Sequence, residues 1–207
     1  MSTAGGGGRR AWRGGLWPPY SLLIFLLKGG ESIRSEYLLN KEVEHVLALL
    51  TPSNQLVIQV CLHTGLRVSD VLCLKTAQIA PRFWITEQKT GKRKMIGLPE
   101  ELRNAIKAQA GSEWCFEHRS DPTKHRTRQA VWKDVKRAAT MLRIKQNATP
   151  HSFRKVFAVD MMKKYGDCEK VQKALNHSSP AVTAIYVMAE QLLQAKTLKK
   201  VYRAGKR

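Results

Sequence analysis

Six side chains in this chain are of types that could together move a phosphodiester onto a protein hydroxyl: Arg67, Lys89, His151, Arg154, His177 and Tyr186. Four of them crowd into TPHSFRKVFAVDMMKKYGDCEKVQKALNHSSPAVTAIY, Thr149 to Tyr186. Arg67 lies upstream in HTGLRVSDVLCL and Lys89 in TEQKTGKRKMIGLP. Attack of a hydroxyl on a phosphate diester builds negative charge on a five-coordinate phosphorus. The leaving oxygen must be protonated and the nucleophile held in line. Without a metal, arginine suits the first task, because its planar fork matches two phosphate oxygens and it stays charged at every working pH. Arg67 and Arg154 fill that role, so we expect neither a metal nor a cofactor. His151 and Arg154, three residues apart, share a helical face.

Lys89, in a turn, is the candidate general acid, since a lysine desolvated against a phosphate can hand over a proton. Lys92 and Lys94 are neighbouring alternatives. His151 and His177 would hydrogen-bond phosphate oxygens, and either could help move a proton near neutral pH. Tyr186 is the candidate nucleophile. Its attack would leave a phosphotyrosyl link and a free hydroxyl, a bond that a second hydroxyl can rejoin without ATP. Taken singly, each residue is ordinary. A tyrosine near a C-terminus is usually packing, with Tyr20, Tyr37, Tyr165 and Tyr202 as competitors, and an H-x-x-R on a helix is common. The ordered set is what carries weight.

That order (Arg, Lys, His-x-x-Arg, His, Tyr), with TPHSFR at the second arginine and SSPAVTAIY closing the nine residues from His177 to Tyr186, resembles the tyrosine recombinases, the phage integrase family. The resemblance covers roughly residues 40–190. It implies an α+β, mainly helical catalytic domain with a small antiparallel β-sheet, and Lys89 in a β-hairpin in sequence similar to the family's KTGK. It implies double-stranded DNA as substrate, a homo-tetramer on two DNA sites, accessory DNA-bending proteins as further partners, no membrane, and a bacterial or phage-encoded protein of the cytoplasm and nucleoid. Asp70 and Asp160 would orient the site, as an acid three residues after the first arginine does in the family. Asn176 stands where the family usually has Gly, and Asn tolerates left-handed backbone better than most residues. The family's helical arm domain has no counterpart in residues 1–36. Two alternatives stay open: an inactive or truncated DNA-binding remnant of an integrase, and a type IB topoisomerase-like enzyme.

The elements that must position these groups follow from composition and periodicity. The 207 residues suffice for one sizeable core. A net charge of +20, from 36 Lys and Arg against 16 Asp and Glu, favours a polyanion. The charges interleave with apolar periodic segments, which argues for a folded domain with a basic face over a basic tail. Cys61, Cys73, Cys115 and Cys168 form no C-x-x-C pair and no zinc spacing; Cys61 and Cys73, in apolar surroundings, read as buried free thiols, and the protein as intracellular and reduced. The run Tyr20 to Leu27 is too short to span a bilayer and lacks a clean cleavage site.

Residues 1–36, broken by glycines, read as a poorly ordered leader. Residues 37–187 read as the catalytic domain, and 188–207 as a basic amphipathic helix or tail. Asn40 is the expected N-cap of a first helix with its stripe at Val43, Val46, Leu47 and Leu50. Thr51-Pro52 opens a second, ending at Gly65. A short helix from Val68 leaves Arg67 at a junction. Phe83 to Ile85 and Lys94 to Leu98 read as paired strands around a turn at Lys89–Lys92, with a third short strand expected at Trp114 to Phe116. Helices follow at Glu100 to Gln109, Thr127 to Leu142, after Thr149-Pro150, and at Cys168 to Leu175.

Overall fold

The computed structural model describes residues 35–166 and 168–175. His177, Tyr186, Asn176, the Gly-rich leader up to residue 34 and the C-terminal tail lie outside them.

Helix α1, Asn40–Leu49, does not begin on an asparagine cap. Leu39 occupies the cap in extended backbone and Asn40 is already helical. Glu42 provides the closure instead, accepting the Leu39 N–H at 2.8 Å. A carboxylate reaching back from the first turn satisfies an orphan donor as well as an Asn cap would. Val43, Val46 and Leu50 are buried as the stripe required. Helix α2, Pro52–Thr64, starts on its proline and stops at Gly65, whose φ of 67° is left-handed. Its N-terminus is pinned to a later helix by Asp134, which accepts from the Thr51 N–H and hydroxyl, both at 2.9 Å, and from Asn54 Nδ2 at 2.8 Å.

Helix α3 is the single turn Val68–Leu72. Strands β1, Arg82–Thr86, and β2, Arg93–Gly97, form an antiparallel hairpin in which Ile85 opposes Lys94 and Trp84 opposes Met95. Alternation puts Phe83, Ile85 and Ile96 in the core, while Trp84 and Met95 face out. Gly91 takes positive φ, 64°, in the connecting turn. The third strand expected at Trp114 to Phe116 is absent. That stretch makes an isolated bridge, Lys75 to Trp114, and Cys115 N–H donates to Leu74 O. Bends on either side of Trp114 limit the pairing to that bridge.

Helix α4 is Glu100–Gln109 and α5 is Arg128–Met141, the latter capped by the Thr127 hydroxyl, which accepts the Ala130 N–H at 3.1 Å. Helix α6, Pro150–Tyr165, begins after Thr149 and ends at Gly166 in the left-handed region. Helix α7 is Cys168–Leu175. The centre of the fold is α2 packed along α6. Phe153, Val156, Ala158 and Val159 of α6 are buried against Val57, Val60 and Cys61 of α2 in one core. Ser35 and Glu36, placed by sequence in the leader, are tied to this body. Asn147 N–H donates to Glu36 Oε2 at 2.6 Å, Glu36 N–H donates to Asn147 O at 3.0 Å, and Lys155 Nζ donates to Ser35 O.

Candidate active site

Charged side chains converge where α2 ends, α3 begins, the hairpin turns and α7 closes. Arg67, in extended backbone, caps α3. Its side chain is partly exposed, and Nη1 donates to Glu87 Oε2 at 2.7 Å. The same nitrogen is 4.0 Å from Asp70 Oδ2, which is buried and has no hydrogen-bond partner among the described residues. Asp70 Oδ1 accepts the Gln88 N–H at 3.0 Å. Burial pushes the Asp70 carboxyl upward, and the nearby Glu87 adds to this. The Gln88 N–H, Arg67 and Arg154 pull the other way without cancelling it.

Arg154 is held differently. It is 1% exposed, the largest fully buried side chain among the described residues. Nη1 donates to Gly65 O and Nη2 to Leu175 O, the latter at 2.5 Å. A guanidinium thus joins the open carbonyls at the end of α2 to those at the end of α7, where the helix dipoles favour positive charge. Gly65 is needed for this approach. A Cβ there would sit 2.4 Å from the Phe157 ring, on a backbone already left-handed.

Lys94 completes the pattern. It points inward from β2, and Nζ donates to Thr64 O at 2.8 Å and Ala174 O at 2.5 Å, one residue before each carbonyl that Arg154 takes. Its pKa falls from 10.5 to about 8, mainly through burial and then through Arg154, against the pull of Glu87 and Asp70. Lys89 is exposed at the tip of the turn, between Gln88 and Thr90.

The structure therefore brings Arg67 and Arg154 into one cluster, with Asp70 beside them. Lys89 sits on the turn joined to that cluster through the two residues before it. His151 is exposed in the first turn of α6, one turn before Arg154. Asp160 is exposed six residues beyond Arg154, about 9 Å along the axis. Sequence reasoning passed over Glu87, 0% exposed, and ranked Lys94 as a lesser alternative. Both carried a signal. In a hairpin whose inward set is Phe83, Ile85 and Ile96, strict alternation puts residues 87 and 94 on the inward face, and a charge at such a position calls for a partner. No cluster of three or more metal-ligating side chains occurs among the described residues, and no helix among them is long and apolar enough to cross a membrane.

The family model for the phage integrase family matches residues 36–192, and the chain belongs to that family. It is 31% identical over 155 residues to a putative integrase/recombinase, y4qK, of Sinorhizobium fredii (strain NBRC 101917 / NGR234), covering 70% of this chain and 50% of that protein. It is 29% identical over 158 residues to the probable integrase/recombinase YoeC of Bacillus subtilis (strain 168), covering 73% of this chain and 81% of that one. The chain thus spans about half the length of the first of these relatives and most of the second. In fold it is similar to a lambda integrase tetramer solved on a Holliday junction, with a TM-score of 0.63 at 16% identity, over 81% of this chain and 56% of that one. The fold class is α+β, mainly helical, with one small antiparallel sheet among the described residues.

Proposed function

We propose that this chain is the catalytic domain of a site-specific DNA recombinase that cuts and rejoins strands through a 3′-phosphotyrosyl intermediate. The observation that carries the reading is the pair of arginines, Arg67 and Arg154, gathered from separate elements at the end of α2 with carboxylates to orient one of them. Family membership supports the chemistry, and the basic balance of +20 supports a DNA substrate. The roles follow from side-chain chemistry. Arg67 and Arg154 neutralise the developing phosphorane charge, with His151 and His177 bonding its oxygens. Lys89 protonates the leaving 5′ oxygen, and Tyr186 attacks. Asp70 orients Arg67. The likeness to an integrase tetramer on a Holliday junction supports a homo-tetramer acting on two duplexes. Accessory DNA-bending proteins and a place at the nucleoid belong to the same reading.

The test is a nicked duplex in which cleavage releases a short strand and so traps the enzyme, run in EDTA. Wild type is expected to give a covalent protein–DNA adduct on a denaturing gel, and Tyr186→Phe none. A specific gel shift without any adduct would move the assignment to the DNA-binding remnant. Relaxation of one supercoiled duplex by a monomer would move it to the topoisomerase-like enzyme.

A further inference from the structure

Glu87 is named above only as a carboxylate that holds Arg67, yet it is the most deeply buried carboxylate among the described residues and the first residue of the turn that carries Lys89. Its contacts run two ways. Oε2 accepts from Arg67 Nη1 at 2.7 Å, and the same oxygen accepts from the Thr90 hydroxyl at 3.0 Å, on the far side of Lys89. Its backbone closes the turn as well. Glu87 N–H donates to Lys92 O at 3.0 Å, and Gly91 N–H donates to Glu87 O at 2.8 Å. The adjoining Gln88 N–H is held by Asp70 Oδ1 at 3.0 Å. Lys89 is therefore flanked on both sides by residues anchored to α3 or to Glu87, although its own side chain is exposed. One carboxylate oxygen is shared between the arginine and the lysine's turn.

We propose that Glu87 is a positioning residue that couples the two halves of the catalytic set, aiming Arg67 at the scissile phosphate and holding the Lys89 turn against it. The proposal rests on the recombinase reading above. A charge-assisted bond at 2.7 Å to a fully buried carboxylate fixes a guanidinium fork in direction as well as place. Sharing that oxygen with Thr90 ties the register of the turn to the same point, so the general acid and the phosphate-binding cation move together.

Two variants separate the parts. Glu87→Gln keeps the shape and removes the charge. Thr90→Val leaves the buried charge and Arg67 untouched and removes only the tie to the turn, so it reports even if Glu87→Gln fails to fold. Each is measured in single-turnover cleavage on two nicked substrates, one with the ordinary 5′ bridging oxygen and one with sulfur there. With oxygen, Tyr186 Oη gives up its proton to a histidine or to solvent and bonds to phosphorus, the P–O5′ bond breaks and O5′ takes a proton from Lys89. With sulfur, the P–S bond breaks and the strand leaves as a thiolate, which needs no proton. On the oxygen substrate Glu87→Gln is expected to slow cleavage about 10- to 100-fold, within the range that general acid and charge stabilisation contribute, and Thr90→Val about 3- to 10-fold. On the sulfur substrate Thr90→Val is expected to match wild type, and Glu87→Gln to keep only the part owed to Arg67. Defects equal on both substrates, or no defect, would overturn the coupling. If wild type forms no adduct on either substrate, the recombinase reading fails. The coupling is then judged by amide hydrogen exchange, where the Gly91 N–H is expected to exchange faster in both variants, and unchanged exchange would overturn it.

Discussion

Arg67 and Arg154 are the same side chain in one cluster, held by opposite means. Arg67 is partly exposed and gripped by carboxylates, Glu87 at 2.7 Å and Asp70 at 4.0 Å. Arg154 is buried and gripped by main-chain carbonyls at two helix ends. A carboxylate partner orients a cation while leaving donors of the fork open to a phosphate. Carbonyl partners from two helices make the cation a fastener of the fold. The first arginine's loss should therefore fall on chemistry, and the second's on chemistry and folding together.

The largest effect is expected at Arg154. Arg154→Met strips two buried carbonyls of their donor, and breaking such a site costs about 3–5 kcal/mol. The melting midpoint is expected to drop by about 10 °C or more, measurable by circular dichroism. A midpoint within about 2 °C of wild type would erase the contrast between the two arginines. Next comes Gly65→Ala. The added methyl meets the Phe157 ring on a backbone at φ 67°, so α2 must shift its end, and a loss of about 2–4 kcal/mol is expected in denaturant titration. Arg67→Gln follows. It keeps a donor for Glu87 but removes that carboxylate's countercharge, so the midpoint should fall less than for Arg154→Met while single-turnover cleavage falls about 100-fold or more.

The smallest effect sharpens the picture of the carbonyl clamp. Lys94 has a folded pKa of about 8 against an ordinary 10.5, so between those pH values the unfolded chain holds the extra proton. Wild-type stability is therefore expected to rise as pH climbs from about 8 to 10.5, by up to about 3 kcal/mol at roughly 1.4 kcal/mol per unit. Lys94→Met should flatten that rise while keeping the packing. Equal slopes in the two proteins would show that Lys94 is solvated.

The described elements were legible because their signals are local. Pro52 and Gly65 bracket α2, Thr149-Pro150 starts α6, and the Phe83/Ile85 alternation fixes the hairpin. The misread cap at Asn40 has a local cause too, because Glu42 reaches back to the Leu39 N–H and Val43 N–H donates to Leu39 O, which starts the helix one residue earlier. The strand expected at Trp114 to Phe116 failed because a strand needs a partner of matching length, and only one bridge is available. The arginine pair was visible as residue types. How each is held was not, because Glu87 lies 20 residues from Arg67 and Leu175 lies 21 from Arg154. Such pairings are set by tertiary packing rather than by neighbours in sequence.

The central claim is that Arg67 acts on phosphate charge, and one substrate tests it. A nicked duplex with a methylphosphonate at the scissile position carries a methyl in place of one non-bridging oxygen, so the scissile group has no negative charge. On this substrate Arg67→Gln is expected to recover at least about 10-fold of its deficit relative to wild type. A deficit as large as on the ordinary phosphate would mean that Arg67 serves the hairpin alone, and would contradict the assignment.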